Sequence, residues 1–397
     1  MQHSLTRDEV GKYSRQLLVN SFGVQSQEKL KNVKVLILGA GGLGCPVATY
    51  LAGSGVGTIG IVDYDHVSED NLHRQVAHKE QNVGKPKTES LKESIESLNR
   101  LVKVICHNVL LNRQNCLEIV KQYDIVADCS DNPATRYLIN DACVLTNLPL
   151  VSGSALRWDG QLTVYHYGKE GPCYRCLYPC PPDASLVTNC SEGGVLGPVV
   201  GIIGCMQALE VIKIASGLEP SYSGKLFLFS GLQGQTRAVN IRKRSPACAV
   251  CGDAPTVTEL IDYNVFCGAS ADDKAPSLNI LLDDERVSVH DYNELRKNCK
   301  PLLIDTRPTN EFDIANLPEA KNLTLNLLKK YSADEIRQVL GLEEGNKSHI
   351  YVICHRGNDS QLGVELLRDK MKPNPVQDVR GGYDSWAKLI DVNFPTY

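Results

Sequence analysis

Apolar residues fall along this chain in short runs, each closed by glycine or a polar turn. "VKVLILGAGGLG", "TIGIVDYD", "LVKVICHN" and "YDIVADCSDN" have the compact apolar cadence of buried strands, and apolar positions between them recur at helical spacing. Strands alternating with helices predict a parallel α/β sheet with helices on both faces. "QLTVYHYG" and "KLFLFSG" predict later strands, and "GCMQALEVIKIASG" a helix stopped by glycine. No internal repeat or low-complexity tract interrupts the pattern.

From Arg242 to about Leu278 the cadence weakens into stretches rich in Pro, Ala, Asp and Ser, such as "RKRSPACAVCGDAP" and "CGASADDKAPS". A second α/β pattern begins near Arg286, with "VSVHDYNELRK", "PLLIDTRPTNEF", "IYVICHRGND" and "PVQDVRGGYDSWAKLI". The expected organisation is one α/β domain over residues 1–245, a cysteine-bearing linker over 246–280 and a smaller α/β domain over 281–397.

Composition narrows the class. A chain of 397 residues with 42% hydrophobic and 22% charged residues reads as globular, and a net charge of -4 gives no reason to expect nucleic acid or membrane as a partner. The first residues, "MQHSLTRDEVGKYSRQ", lack the apolar segment of a secretory signal, and the sequence reading finds no apolar run of spanning length. A cytosolic protein is expected. Its 15 cysteines then point to metal binding or thiol chemistry rather than a disulfide framework.

The turn "GAGGLG" places Gly39, Gly41 and Gly44 in a G-x-G-x-x-G pattern between a strand and a helix. Small residues there let the backbone approach a phosphate, and the helix N-terminus offers free N–H groups. Asp63, ending the next strand, could accept hydrogen bonds from a ribose. This motif alone does not separate NAD, FAD and ATP, and by itself favours an NAD-dependent oxidoreductase. The following residues shift the balance: Asn71, Arg74 and Gln75 in "EDNLHRQ", Lys85 and Lys87 in "VGKPKTE", Asp131 and Asn132 in "DCSDNPATRYLIND". Any one of these cations alone would pass as a solvated surface charge. Together, cations and a carboxylate after strand ends suit a triphosphate with Mg²⁺ better than a dinucleotide.

"YSRQ", "GAGGLG", "VDYD", "DNLHRQ", "GKPK" and "DCSDN" resemble the Rossmann-like adenylation domain of ubiquitin-activating-type enzymes. The resemblance implies ATP-dependent adenylation of a C-terminal glycine on a ubiquitin-like protein. It implies that Gly42 and Asp63 hold the nucleotide, and that Asp70, Asn71 and Arg74 contact it or its phosphates. It further implies that Lys87 stabilises the pentacoordinate phosphorus, that Asp131 binds Mg²⁺ and that Asn132 flanks the adenine. Arg15 matches an arginine supplied across a dimer interface. The carboxylate nucleophile is already ionised at neutral pH and requires no general base.

Cys173-x-x-Cys176 and Cys248-x-x-Cys251 form two knuckles with the spacing of a structural Cys₄ zinc site, one Zn²⁺ per subunit, although a redox pair shares the C-x-x-C spacing. Cys180 reads as a bystander. Cys190, in the polar stretch "VTNCSEGG", is either an exposed loop thiol of no consequence or, as the resemblance implies, an acceptor of the activated glycine or a participant in a disulfide step. Cys45, Cys106, Cys116, Cys129, Cys143, Cys205, Cys267 and Cys299 read mostly as buried small hydrophobes.

Cys354 ends the apolar run "IYVIC" and opens the loop "HRGNDS". Backbone N–H groups converging there would form an anion-stabilising nest and lower the thiol's pKa. A cysteine phosphatase needs arginine six positions on, and this chain has Ser360, preceded by Asp359. The loop suits a terminal sulfur better than a dianionic phosphoester. "LLIDTRPTNEF" and "VRGGYDSW" resemble the rhodanese domain; a catalytically dead domain of that kind is the alternative, which the intact loop cysteine weighs against, and "IANLPEA" stands where that family often has G-H-I-P-G-A.

The complete order resembles the eukaryotic molybdenum cofactor synthesis protein 3 family, from about Leu5 to Tyr397. That resemblance implies an adenylyltransferase and sulfurtransferase acting on two ubiquitin-like sulfur carriers ending in Gly-Gly: the small subunit of molybdopterin synthase, and the ubiquitin-related modifier that serves tRNA wobble-uridine 2-thiolation. It implies a cytosolic homodimer with a cysteine desulfurase as sulfur donor, and no direct nucleic-acid contact. The competing readings are an activating enzyme for ubiquitin-like protein conjugation and an NAD-dependent oxidoreductase.

Overall fold

The computed structural model describes residues 3–182, 193–268, 278–343 and 346–397. The chain divides into two compact units, Met1–Lys274 and Ala275–Tyr397.

In the first unit, β1 (Lys34–Leu38), β2 (Thr58–Val62), β3 (Lys103–His107), β4 (Ile125–Asp128), β5 (Leu150–Leu156), β6 (Asp159–Tyr165), β7 (Lys225–Ser230) and β8 (Gln235–Asn240) form one sheet in the order β3-β2-β1-β4-β5-β6-β7-β8. Strands β1 to β5 are parallel, and β6, β7 and β8 add antiparallel. The sheet is therefore mixed rather than parallel throughout, because the short turn from β5 to β6 leaves no room for a crossover helix. Alternate residues of β1 feed opposite faces: Val35 and Ile37 join one apolar cluster, Leu36 and Leu38 the other. Strand order reverses between β1 and β4, so a crevice opens at their C-terminal ends, where an α/β sheet receives ligands. The glycine turn follows β1, and "CSDN" follows β4.

The helix Gly197–Ser216 is long and apolar enough to cross a membrane, with mean hydropathy 1.7, against the reading of no such run. It packs in the core instead, with 56% of its apolar window buried. Its Gln207 amide donates to the carbonyls of Asp128 (2.8 Å) and Val151 (3.1 Å), tying the helix to β4 and β5.

The stretch expected as a linker divides. Leu260, Ile261, Tyr263, Phe266 and Cys267 pack into the apolar cluster beneath the sheet, while described residues from Leu278 onward belong to the second unit. Of the cysteines expected to be buried, Cys45, Cys116, Cys129, Cys143 and Cys267 are. Cys106 and Cys205 are half-buried and Cys299 is exposed, since they sit at a sheet edge, on an outer helix face and just past a helix end.

The second unit carries β9 (Arg286–Val287), β10 (Leu302–Asp305), β11 (Ala320–Asn322), β12 (Ile350–Ile353) and β13 (Val376–Val379), all parallel, in the order β11-β10-β12-β13-β9. Cys354 directly follows the central strand β12, and the helix Asp359–Lys370 follows its loop.

Candidate active sites

The glycine turn is shaped by close contacts. Gly39 has φ +98°, and a Cβ there would lie 2.9 Å from the Cys129 carbonyl oxygen. Gly42 packs under Val200, and Gly44 opens the helix Gly44–Ser54 against the Gly39 carbonyl, leaving no room for a side chain. Gly41 lies beneath the Gln75 amide. Gln75 is buried, and its Oε1 has no hydrogen-bond partner.

Asp63 accepts from the backbone N–H groups of Ala40 (2.7 Å) and Asp65 (2.8 Å), so both oxygens already hold the turn in place. Burial pushes its carboxyl above the usual range, opposed by Lys87 and these donors. Lys87 is only 6% exposed and its Nζ pairs with Asp65 at 2.8 Å. Burial disfavours its charge, but Asp63, Asp65 and Asp131 outweigh that and hold its pKa above the usual value. The fold thus gathers a buried cation and three carboxylates beside the glycine turn. Asp65 was not singled out in the sequence, although it lies two residues beyond Asp63.

His78 was also missed. It is buried, its Nε2 lies 2.8 Å from the Ala40 carbonyl and its Nδ1 2.9 Å from Ser90 Oγ. Because a carbonyl only accepts, Nε2 carries the proton. Desolvation lowers the pKa of this imidazole, and Lys87 adds to the effect.

Arg74 donates to Asn71 Oδ1 and to the Asp70 carbonyl (3.3 Å), which places Asp70, Asn71 and Arg74 on one short turn. Asp70 and Asp131 are exposed. Asn132 is the N-cap of the helix Pro133–Thr146, its Oδ1 accepting from Thr135 N–H at 2.9 Å, so its side chain already has a structural task. Arg15 is exposed on the helix Arg7–Leu17. The neighbouring Gln16 binds the Ser54 carbonyl, at the far end of the helix that the glycine turn opens. Within one chain these contacts hold Arg15 away from that turn.

The four knuckle cysteines converge, their Sγ atoms all within 4.8 Å of one another. Cys173–Cys176, Cys173–Cys248 and Cys176–Cys251 sulfurs are 3.8, 3.5 and 3.4 Å apart. Tetrahedral zinc with Zn–S near 2.3 Å sets its sulfurs about 3.8 Å apart, so the donor set fits Zn²⁺. Arg175, between the first two cysteines, forms a buried pair with Asp141 (2.8 Å), which also accepts from Tyr263 Oη (2.8 Å). Its guanidinium lies over the rings of Tyr137 and Phe266. Cys180 is exposed and outside the cluster. Cys190 lies outside the described residues.

In the second unit, Cys354 is 2% exposed. Its Sγ accepts from the Gly357 N–H at 3.0 Å and lies 3.3 Å from Ser360 Oγ. Burial pushes this thiol's pKa up; the Ser360 hydroxyl and the N–H groups of Ser360 and Gly357 pull it back only in part. The expected lowering is therefore reversed, because the cup is dry as well as rich in donors. Gly357 has φ +83°, and a Cβ there would lie 2.6 Å from the Gly381 nitrogen. Gly382 presses on the Cys354 carbonyl, so the paired glycines of "VRGG" form the back of the cup. Asp305 and Arg307 form a buried pair (2.6 Å), with Arg307 over the Tyr383 ring at 3.9 Å. They brace the loop's neighbours.

A crevice at a strand reversal, lined by cations and carboxylates, together with a thiol in an amide cup, defines a transferase of two domains: a nucleotide-activating fold and a rhodanese-like fold. The description "ThiF family" matches residues 13–250 and "Rhodanese-like domain" residues 288–389. Adenylyltransferase and sulfurtransferase MOCS3 from Caenorhabditis briggsae is 58% identical over 99% of this chain and 98% of its own length. The protein of that name from Sus scrofa is 51% identical over 99% and 89%. Among solved structures, E. coli MccB with MccA-N7isoASN aligns with TM-score 0.56 and 31% identity over 61% of this chain and 75% of that one. MccB with ATP gives 0.54 and 32% over 61% and 73%. The chain belongs to the ThiF family and, over nearly its whole length, to the family of adenylyltransferase and sulfurtransferase MOCS3. It is an enzyme with both transferase activities, and the oxidoreductase reading of the glycine turn falls away.

Proposed function

We propose that this enzyme uses ATP to activate the C-terminal glycine of a ubiquitin-like sulfur carrier and then converts it to a thiocarboxylate with sulfur held on Cys354. The observation that carries the reading is Lys87: a cation buried against Asp65, beside the glycine turn and within the field of Asp63 and Asp131. Three carboxylates keep this buried lysine charged. A cation fixed there in advance can meet an α-phosphate that gains charge during displacement.

On this reading Gly39, Gly41, Gly42 and Gly44 admit the phosphates, Asp63 holds the ribose side, and Asn71, Arg74 and Gln75 line the polyphosphate. Asp70 and Asn132 complete the nucleotide's surroundings. Arg15 acts from a second copy of the chain, consistent with its exposed place away from its own glycine turn. Asp131 would hold Mg²⁺, which when bound neutralises charge on the leaving pyrophosphate. Cys173, Cys176, Cys248 and Cys251 would hold Zn²⁺ as a structural clamp.

The carrier's glycine carboxylate attacks the α-phosphorus and pyrophosphate leaves. A persulfide on Cys354 then attacks the acyl-adenylate carbonyl and expels AMP. Cys190 attacks the Cys354 sulfur of the acyl disulfide: a Cys190–Cys354 disulfide forms, the thiocarboxylate leaves, and an external dithiol reductant then returns both cysteines to thiols. The carriers proposed are the molybdopterin synthase small subunit and the ubiquitin-related modifier of tRNA thiolation, with a cysteine desulfurase as donor and the cytosol as the site of action.

Carrier-dependent ATP–pyrophosphate exchange tests the reading. Exchange should require a carrier with an intact terminal Gly-Gly and disappear when that end is removed. Exchange that ignores the carrier, or none with either carrier, overturns it.

A further inference from the structure

Behind Cys354 runs a buried chain of polar groups that the steps above do not use. The Cys354 thiol donates to Ser360 Oγ at 3.3 Å, and that hydroxyl donates to Asp378 Oδ2 at 3.3 Å. Asp378 is held in turn by Arg286, with Nε to Oδ1 at 2.8 Å and the second guanidinium nitrogen to Oδ2 at 3.1 Å. Cys354 is 2% exposed, and Ser360 and Asp378 are fully buried. Three elements contribute: the loop after β12 and its helix, β13, and β9. A buried carboxylate two hydrogen bonds from a nucleophile, with its orientation fixed by a bidentate arginine, is placed to accept a proton.

We propose that Ser360 and Asp378 form a proton relay that activates Cys354 when it takes up sulfur; this rests on the reading that Cys354 carries the sulfur. The partner is a sulfane-sulfur donor such as a protein cysteine persulfide. The Cys354 S–H bond breaks and its proton passes to Ser360 Oγ, while the hydroxyl's own proton passes to Asp378. The freed electron pair attacks the donor's outer sulfur. A new S–S bond forms at Cys354, the donor's S–S bond breaks, and the donor leaves as a thiolate. With the donor reacting as the persulfide anion, Asp378 returns its proton through Ser360 to the terminal sulfur of the new Cys354 persulfide, and the donor thiolate is protonated from solvent. One sulfane sulfur changes thiols, with no net oxidation.

Arg286 and Arg380 face Asp378, Asp359 lies near Cys354, and the adjoining His355 is faced by Arg356, Arg307, Asp384 and Glu311. Burial raises the Asp378 carboxyl above its usual range despite both arginines, which suits a group that takes and returns a proton. Ser360 stands where a phosphatase would place its phosphate-binding arginine, so the same position here points the nucleophile toward an acceptor rather than a ligand.

The test uses the full-length, reduced protein and iodoacetamide. Modification of the Cys354 peptide is followed by mass spectrometry between pH 5.5 and 9. The wild-type rate should vary little around neutrality, because the relay supplies the base. In Asp378→Asn the rate at pH 7 should fall at least about tenfold and climb about tenfold per pH unit, as an unassisted thiol does. Ser360→Ala should behave alike, and the double variant no worse than either single one. An Asp378→Asn protein alkylated at the wild-type rate or faster, with an unchanged profile, overturns the relay, since removing a neighbouring negative charge by itself favours the thiolate. Should Asp378→Asn fail to fold, Ser360→Ala decides, because it leaves the Arg286–Asp378 pair intact. Sulfur transfer by Cys354→Ala is scored separately: if it persists, the sulfur-carrying reading fails, whatever the alkylation profiles show.

Discussion

At the scale of single residues, the nucleotide crevice depends on groups whose charge is set by their neighbours. Lys87 keeps its proton because three carboxylates outweigh its burial. On the proposed role of Lys87 at the α-phosphate, Lys87→Ala should lower carrier-dependent pyrophosphate exchange by about 10²-fold or more, the usual cost of losing one preorganised charge-stabilising group. Lys87→Arg should recover little, because a planar fork does not fit a pocket built for an ammonium. His78 sets a pH limit of a different kind. Its folded pKa lies below the ordinary 6.5, so the unfolded chain binds this proton more tightly. Stability from the neutral imidazole is therefore present above about 6.5 and is lost as pH falls through the window below it. Thermal unfolding at pH 7 and pH 5.5 should show a smaller acid loss in His78→Gln than in wild type, from a lower starting point. An equal or larger acid loss in the variant would show that another group governs the limit.

Elements decide which of these residues could be read in advance. The turn after β1 and the loop after β12 were legible because each is local: a strand cadence, a run of small residues and a chemistry-bearing residue lie within one stretch. Lys87 and Asp131 were legible as members of a charged set, and their separate roles only by resemblance; the strand reversal brings Asp131, after β4, toward the glycine turn, while Lys87 reaches it through Asp65 beyond β2. Asp141, Arg175 and Tyr263 left no local signal. They sit on three segments, Tyr263 is 122 residues from Asp141, and a buried ion pair looks like surface charge in a sequence. The reversed pKa of Cys354 was hidden for a related reason, since donors can be inferred from a loop but dryness comes from the surrounding fold. These long-range contacts carry weight. Arg175→Ala strands the Asp141 carboxylate beneath the cysteine knuckle and should destabilise the first unit by about 3 kcal/mol, measured by denaturant unfolding. Gly357→Ala forces a left-handed backbone and a contact with Gly381, so it should cost the second unit about 1–3 kcal/mol and suppress sulfur transfer. Pyrophosphate exchange in that variant should stay at the wild-type level.

For the molecule as a whole, two compact units, each with its own sheet and its own reactive centre, imply separable chemistry. On the proposed function, pyrophosphate exchange draws on groups of the first unit and sulfur uptake on groups of the second. Cys354→Ala should therefore perform normal carrier-dependent pyrophosphate exchange while making no thiocarboxylate, and should stop with acyl-adenylate bound. A rapid-quench experiment with labelled ATP should then show one pyrophosphate released per competent site, with little AMP following it. Lys87→Ala should show the reverse: no adenylate, yet undiminished transfer of sulfur from thiosulfate to cyanide, because that reaction touches only the second unit. If Cys354→Ala releases AMP and thiocarboxylate at the wild-type rate, sulfur reaches the carrier by a route that bypasses the cup. If Lys87→Ala loses thiosulfate activity as well, the units are coupled in stability rather than independent, and unfolding of the wild type in denaturant should then show one transition rather than two.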